Sequence, residues 1–251
     1  MISQFFPSFK TEVFSSVSEA IEAIESNRLS FQEKYDKALI KIFGPGSVLV
    51  LPCNGSQVVI GAPKASVKNP SEPFYVRDGR YSRKVVDVYC VKANGKMTYH
   101  FYESDIRIQQ IQASSGHHHA VLTSLIVPYE RFTTMAALCI LWLYFMSGCS
   151  QAMFCDSLKG INISVCELDR LIKWAKQMFP LLEIDVTPAT NTTVAQCKAY
   201  ANGIRMIMTN LKHYYALCVA SLHLAMFQRK KPVFSPYLTG IPFISPDNQA
   251  A

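Results

Sequence analysis

From Phe132 to Cys155 the chain carries no charged side chain, and within that span Met135 to Met146, MAALCILWLYFM, is an unbroken apolar run. Such a run has to leave water, either for a bilayer or for a protein core. A spanning helix needs about 20 mainly apolar residues. This run has twelve, and Ser147, Gly148, Ser150 and Gln151 follow it. Its aromatic residues stand inside the run, not at its two ends where an aromatic belt would lie. The expectation is therefore a helix apolar all round, buried in a helical bundle, and no integral membrane segment.

A length of 251 residues with 49% hydrophobic side chains is ample for such a core, as one large domain or two lobes. Helices are expected at 17–28, 30–43, 129–155, 164–179, 193–209 and 211–229. Phe31, Tyr35, Leu39 and Ile42 recur at helical spacing, and Gly44, Pro45 and Gly46 end that helix. Ser30 with Glu33, Ser164 with Glu167 and Thr193 with Gln196 form capping-box patterns. Pro180 and Pro188 are expected to separate two helices.

Residues 47–112 read as β structure. SVLVLP and QVVIGA flank the turn residues CNGS. KVVDVYCVKA and KMTYHFYE flank Asn94-Gly95, the strongest short hairpin signal. IRIQQIQ alternates and is expected to add a strand, and an irregular basic loop is expected from Pro63 to Arg83. The predicted class is α+β, mainly α. It has an N-terminal arm at 1–16, a mixed α/β lobe with a β-hairpin at 17–126, a helical lobe at 127–232 and a C-terminal arm at 233–251. Phe5, Phe6 and Phe9 in the first arm, and Phe234, Tyr237 and Phe243 in the second, are candidate hooks that hold a neighbouring copy. Packing of the first arm on its own domain stays open.

The formal net charge is +7, which favours an acidic partner: nucleic acid, anionic lipid or an acidic protein. The excess sits in two segments. Residues 61–96 hold eight basic and three acidic side chains, and residues 191–251 hold six and one. The first cluster is Lys64, Lys68, Arg77, Arg80, Arg83, Lys84, Lys92 and Lys96, interleaved with Phe74, Tyr75 and Tyr81. Cations that meet phosphates beside aromatic faces that stack bases suit single-stranded nucleic acid without sequence reading. In the second, Lys198, Arg205 and Lys212 are seven apart, so a continuous helix puts them on one side over about 21 Å. Arg170, Lys173 and Lys176 make a further stripe. An ordinary solvated surface is the alternative for each.

Eight cysteines include no Cys-x-x-Cys pair and mostly lie in apolar runs, as reduced thiols of a cytosolic protein do. The N-terminus lacks the basic start and apolar stretch of a signal peptide. His117, His118 and His119 are consecutive, with no Cys or carboxylate nearby at ligand spacing. The glycine-bearing stretches IFGPGS and NGSQVVIGAPK match neither the phosphate-loop nor the dinucleotide pattern. No metal or cofactor is expected.

Leu125 to Tyr144, LIVPYERFTTMAALCILWLY, is similar to the stretch of orthobunyavirus-like nucleoproteins in which an Arg-led apolar helix follows the β part. KVVDVYCVKANGK resembles their hairpin. The resemblance implies two lobes with an RNA groove between them, terminal arms that link protomers, and Arg131 as a groove or helix-start residue. It also implies a place in the virion and the host cytoplasm, with a viral polymerase as a further partner. The leading expectation is a non-enzymatic protein that coats single-stranded RNA and forms homo-oligomers. Two rivals remain open: a peripheral matrix-type protein on anionic lipid, and an enzyme with a Cys–His site.

Overall fold

The segment from Tyr75 to Ala113 builds one long antiparallel hairpin, and the rest of the chain is arranged around it. In the computed structural model, described residues are 12–26, 30–43, 48–50, 57–59, 75–113, 118–121, 126–127 and 130–209. In chain order the elements are β1 (Val13–Phe14), α1 (Val17–Glu25), α2 (Phe31–Ile42), β2 (Val48–Val50), β3 (Gln57–Val59), β4 (Tyr75–Ala93), β5 (Lys96–Ala113), β6 (His118–Ala120), α3 (Thr134–Ser147), α4 (Gln151–Ser157), α5 (Val165–Leu181) and α6 (Thr193–Thr209). The fold is α+β, with more residues in helix than in strand.

The hairpin turns where the sequence predicts. Asn94 has φ 51° and Gly95 φ 73°, the pair of left-handed residues that matches strand twist in a two-residue turn. The strands are longer than the pattern suggests. Tyr75 to Arg83, expected in a loop, is the first half of β4, and IRIQQIQ is the far end of β5 and not a separate strand. A bulge between Arg77 and Arg80, with Gly79 at φ 90°, interrupts the period-2 pattern there. The sheet order is β1-β4-β5-β6, and β2 pairs β3 separately.

Both faces of the hairpin are covered. Ala20 and Ala23 of α1 bury Tyr89, Val91 and Tyr102. Phe31, Tyr35, Ala38 and Leu39 of α2 bury Val85, Ile106, Ile108 and Ile111. On the other face, Val86, Val88 and Phe101 enter the largest core with Leu138, Leu168, Phe179 and Ile204. Residues on either side of the expected lobe boundary at 126 and 127 thus share one core.

The apolar run is buried, and Ala136 to Leu141 are fully inaccessible. The single helix expected over 129–155 is two helices. Residues 131–133 lie extended beside β4, with Val86 N donating to Arg131 O (2.6 Å) and Thr133 N to Val86 O (2.9 Å). Thr133 then caps α3, its Oγ1 accepting from Ala136 N at 3.0 Å. Gly148, left-handed at φ 66°, stops α3, and Ser150 caps α4 after a bend of 119°. No single described helix is long and apolar enough to cross a membrane. Pro180, expected as a separator, sits in the last turn of α5, where its ring limits further helix instead of preceding the end.

Residues 12–16 of the expected N-terminal arm belong to the fold. Cys90 N donates to Glu12 O (2.8 Å), Val13 and Phe14 pair with Cys90 and Val91, and Ser16 caps α1. Phe5, Phe6, Phe9, Phe234, Tyr237 and Phe243 lie outside the described residues, as does the helix expected at 211–229.

Gly160, between α4 and α5, has φ 90°, and a Cβ built there would stand 2.6 Å from the Phe101 carbonyl oxygen. Both the backbone conformation and the contact demand glycine. Gly160→Ala should lose about 2 kcal/mol, read as a lower urea midpoint at unchanged slope.

Candidate nucleic-acid interface

The basic residues of the hairpin divide into those held by the fold and those left in water. Arg80 Nη1 lies 3.0 Å from Asp36 Oδ1, an ion pair to α2 without hydrogen-bond alignment. Arg83 donates through Nη2 to the Glu130 carbonyl oxygen. Tyr81, a candidate for base stacking, packs partly buried against the α2 core and stands opposite Ile108, so its ring is already occupied. Lys84, Lys92 and Lys96 are exposed, with no ion pair to another described residue. Asp87, one of the three acids in the first basic segment, contributes no surface charge. It is buried and accepts from Thr133 Oγ1 (2.8 Å) and Tyr102 OH (3.2 Å). Burial pushes its carboxyl above the ordinary range.

Arg131 stands two residues before the α3 cap, at the helix start that the resemblance implies, but its donors are committed inside the protein. It bonds the Glu103 carboxylate on β5, Glu167 Oε1 on α5 (2.8 Å) and the Asn162 carbonyl. Glu167 Oε2 meanwhile accepts from Ser164 N and Oγ, both at 2.9 Å, completing the predicted capping box. Burial alone would raise the Glu167 carboxyl; the bonds from Arg131 and Ser164 outweigh it and hold it below its ordinary value. Beside this pair, Arg170 grips Glu130, bonding Oε1 through Nε and Oε2 through Nη2 (3.0 Å). Three arginines and three glutamates from β4, β5, the segment before α3, and α5 therefore form one junction. Arg131 links the hairpin to the helices.

On the helices, Lys173 pairs with Asp169 at 2.6 Å, and Lys176 lies over the Tyr200 ring at 5.7 Å. Arg170 and Lys173 are thus paired with carboxylates, whereas Lys176 is exposed without an ion pair to another described residue. Lys198 and Arg205 share the exposed side of α6, as the seven-residue spacing predicts, without an ion pair to a described residue. Lys64, Lys68 and Lys212 fall outside the described residues, and of Tyr75 and Arg77 only the strand register, opposite Ala113 and Ile111, is described.

Two aromatic residues absent from the sequence expectations meet at the hairpin face that carries Lys92. Tyr99 of β5 and Trp142 of α3 meet edge to face, with centroids 5.7 Å apart, and both are half-buried. Strand alternation places Tyr99 on the same face as Lys92 and Met97, a signal present in the sequence. The identity of the opposing helix was not.

Among the described residues no group of three or more His, Cys, Asp and Glu side chains is placed to hold a metal ion. His118 lies in β6, and His117 is outside the described residues. Burial pushes the Cys90 thiol up to about 11 and raises Cys139 and Cys155, against thiolate chemistry at these three. No protein-family model, curated protein or solved structure matches the chain.

Proposed function

We propose that the chain is a non-enzymatic, sequence-tolerant single-stranded RNA-binding protein that self-associates and encapsidates a viral genome. The observation that carries the binding part is where the free charge lies. Glu103, Glu130 and Glu167 are taken up by Arg131 and Arg170, while Lys84, Lys92, Lys96, Lys198 and Arg205 stay exposed without an ion pair to another described residue. Exposed cations without a carboxylate partner attract polyanions. The viral setting and the self-association rest on the resemblance of Leu125 to Tyr144 and on the aromatic arms.

The test is absorbance at 260 and 280 nm during light-scattering chromatography, before and after a high-salt wash, followed by titration with an oligouridylate. Five engaged cations imply a slope of log affinity on log salt of about −3.5 for a single strand. Affinity should then fall about a hundred-fold between 50 and 200 mM salt, and co-purifying RNA and multimeric mass should be lost together. A slope near zero overturns the proposal.

A further inference from the structure

We infer that the free end of the hairpin and the second half of α3 form a stacking site for an unpaired base, with Lys92 on a flanking phosphate. The inference rests on the RNA-binding proposal and names the site it lacks.

The register puts Cys90 opposite Tyr99 and Lys92 opposite Met97, so these four side chains share one face of the hairpin. At Cys90 that face is closed, since Cys90 is 2% exposed. One pair nearer the turn, the cover ends. Tyr99 is half-buried, Met97 is 46% exposed, and residues 92–98 are all in water. On α3, Cys139, Trp142 and Met146 follow at spacings of three and four, hence on one side of the helix. They grade from fully buried Cys139 to Met146 at 57% exposure, with Trp142 against Tyr99. Tyr99 and Trp142 therefore surface together where hairpin and helix part, each with an exposed methionine on the same face of its own element.

The charge around them selects the occupant. From Val88 to Tyr102 there is no Asp or Glu, and Lys92 is the charged side chain on this face. A purely apolar partner would leave the Lys92 ammonium group uncompensated. A nucleotide supplies an aromatic face for the rings and an anion for the lysine. Stacking on aromatic side chains tolerates any base, as coating an entire strand requires. Burial pushes the Tyr99 phenol up to about 12, so it stays neutral beside a phosphate at physiological pH.

Ultraviolet crosslinking of the full chain to a 4-thiouridine oligonucleotide tests the site without altering the protein. Adducts are expected on the peptides that carry Tyr99 or Trp142, and adducts confined to other peptides would overturn the inference. Tyr99→Leu should weaken oligouridylate binding about ten-fold, whereas Tyr99→Phe, which keeps the ring, should match the unmodified protein. Replacing Lys92 with Gln should make the salt slope shallower by about 0.7. If the unmodified protein binds RNA with the expected salt slope and Tyr99→Leu binds equally well, the stacking site falls and the RNA-binding proposal stands. If the unmodified protein shows no salt-sensitive binding, both fall. Should Tyr99→Leu not fold, the crosslinked peptides decide.

Discussion

Arg170→Met is expected to lower the unfolding free energy by about 3 kcal/mol, which for one residue is a large loss. The cause is the partner left behind. Glu130 is 4% exposed, and Arg170 satisfies both of its carboxylate oxygens. Without the guanidinium, the buried carboxylate loses the partner of both its oxygens. Arg170 itself is half in water, which screens the pair and places the effect at the low end of the range for buried pairs. The asymmetry makes this testable. Glu130→Gln should lose less, because Arg170 can turn outward and be hydrated. The double variant Arg170→Met with Glu130→Met should return most of the stability, since no unpaired charge remains. Urea unfolding at neutral pH reads all three; a double variant as unstable as Arg170→Met alone would show that the loss has another origin.

Phe132→Ala should remove about 4 kcal/mol and lower the melting temperature by about 12 °C. Phe132 is fully buried, its backbone is bridged to β4 at Val86, and its ring enters the core that joins the hairpin to α3. The Arg131 guanidinium lies 5.4 Å from the ring centroid. Truncation opens a cavity at a place held from two sides by backbone hydrogen bonds, so the surroundings have little room to collapse into it. Phe132→Leu should recover more than half of the loss. Equal losses for Ala and Leu would mean that ring stacking, not volume, is what Phe132 supplies.

The local signals were dependable wherever a few consecutive residues decide the outcome. Asn94-Gly95 takes the hairpin turn because glycine and asparagine tolerate positive φ. The Ser164–Glu167 box closes as written, because its partners sit within one turn of helix. The run at 135–146 is buried because nothing in it can hold water. Misreadings arose where a residue has two uses. Gly148 reads as a tolerated glycine in a helix until its φ shows a stop. Arginines 80 and 83 read as loop cations because charged residues on a half-covered strand leave the same pattern as a solvated loop.

Legibility of the candidate interface followed the same division. Lys92, Lys96, Lys198 and Arg205 are exposed as their spacing and surroundings suggest, since a lysine or arginine goes to water unless a partner draws it in. Arg131 and Arg170 were drawn in. Their partners are distant in sequence: Glu103 lies 28 residues from Arg131, Glu167 36, and Glu130 40 residues from Arg170. Tyr81 and Tyr99 are both tyrosines in alternating strands, yet α2 covers one and the other emerges beside Trp142.

By itself, then, the sequence determined the helix caps at Ser30 and Ser164, the turn of the hairpin, the burial of the central helix and the sign of the net charge. These follow from dihedral preference, side-chain period and solvation, all of which act over a few residues. Only the tertiary structure decided which cations are free and which aromatic rings reach water. Pairing and cover depend on which elements are packed against one another, and a one-dimensional pattern does not carry that information.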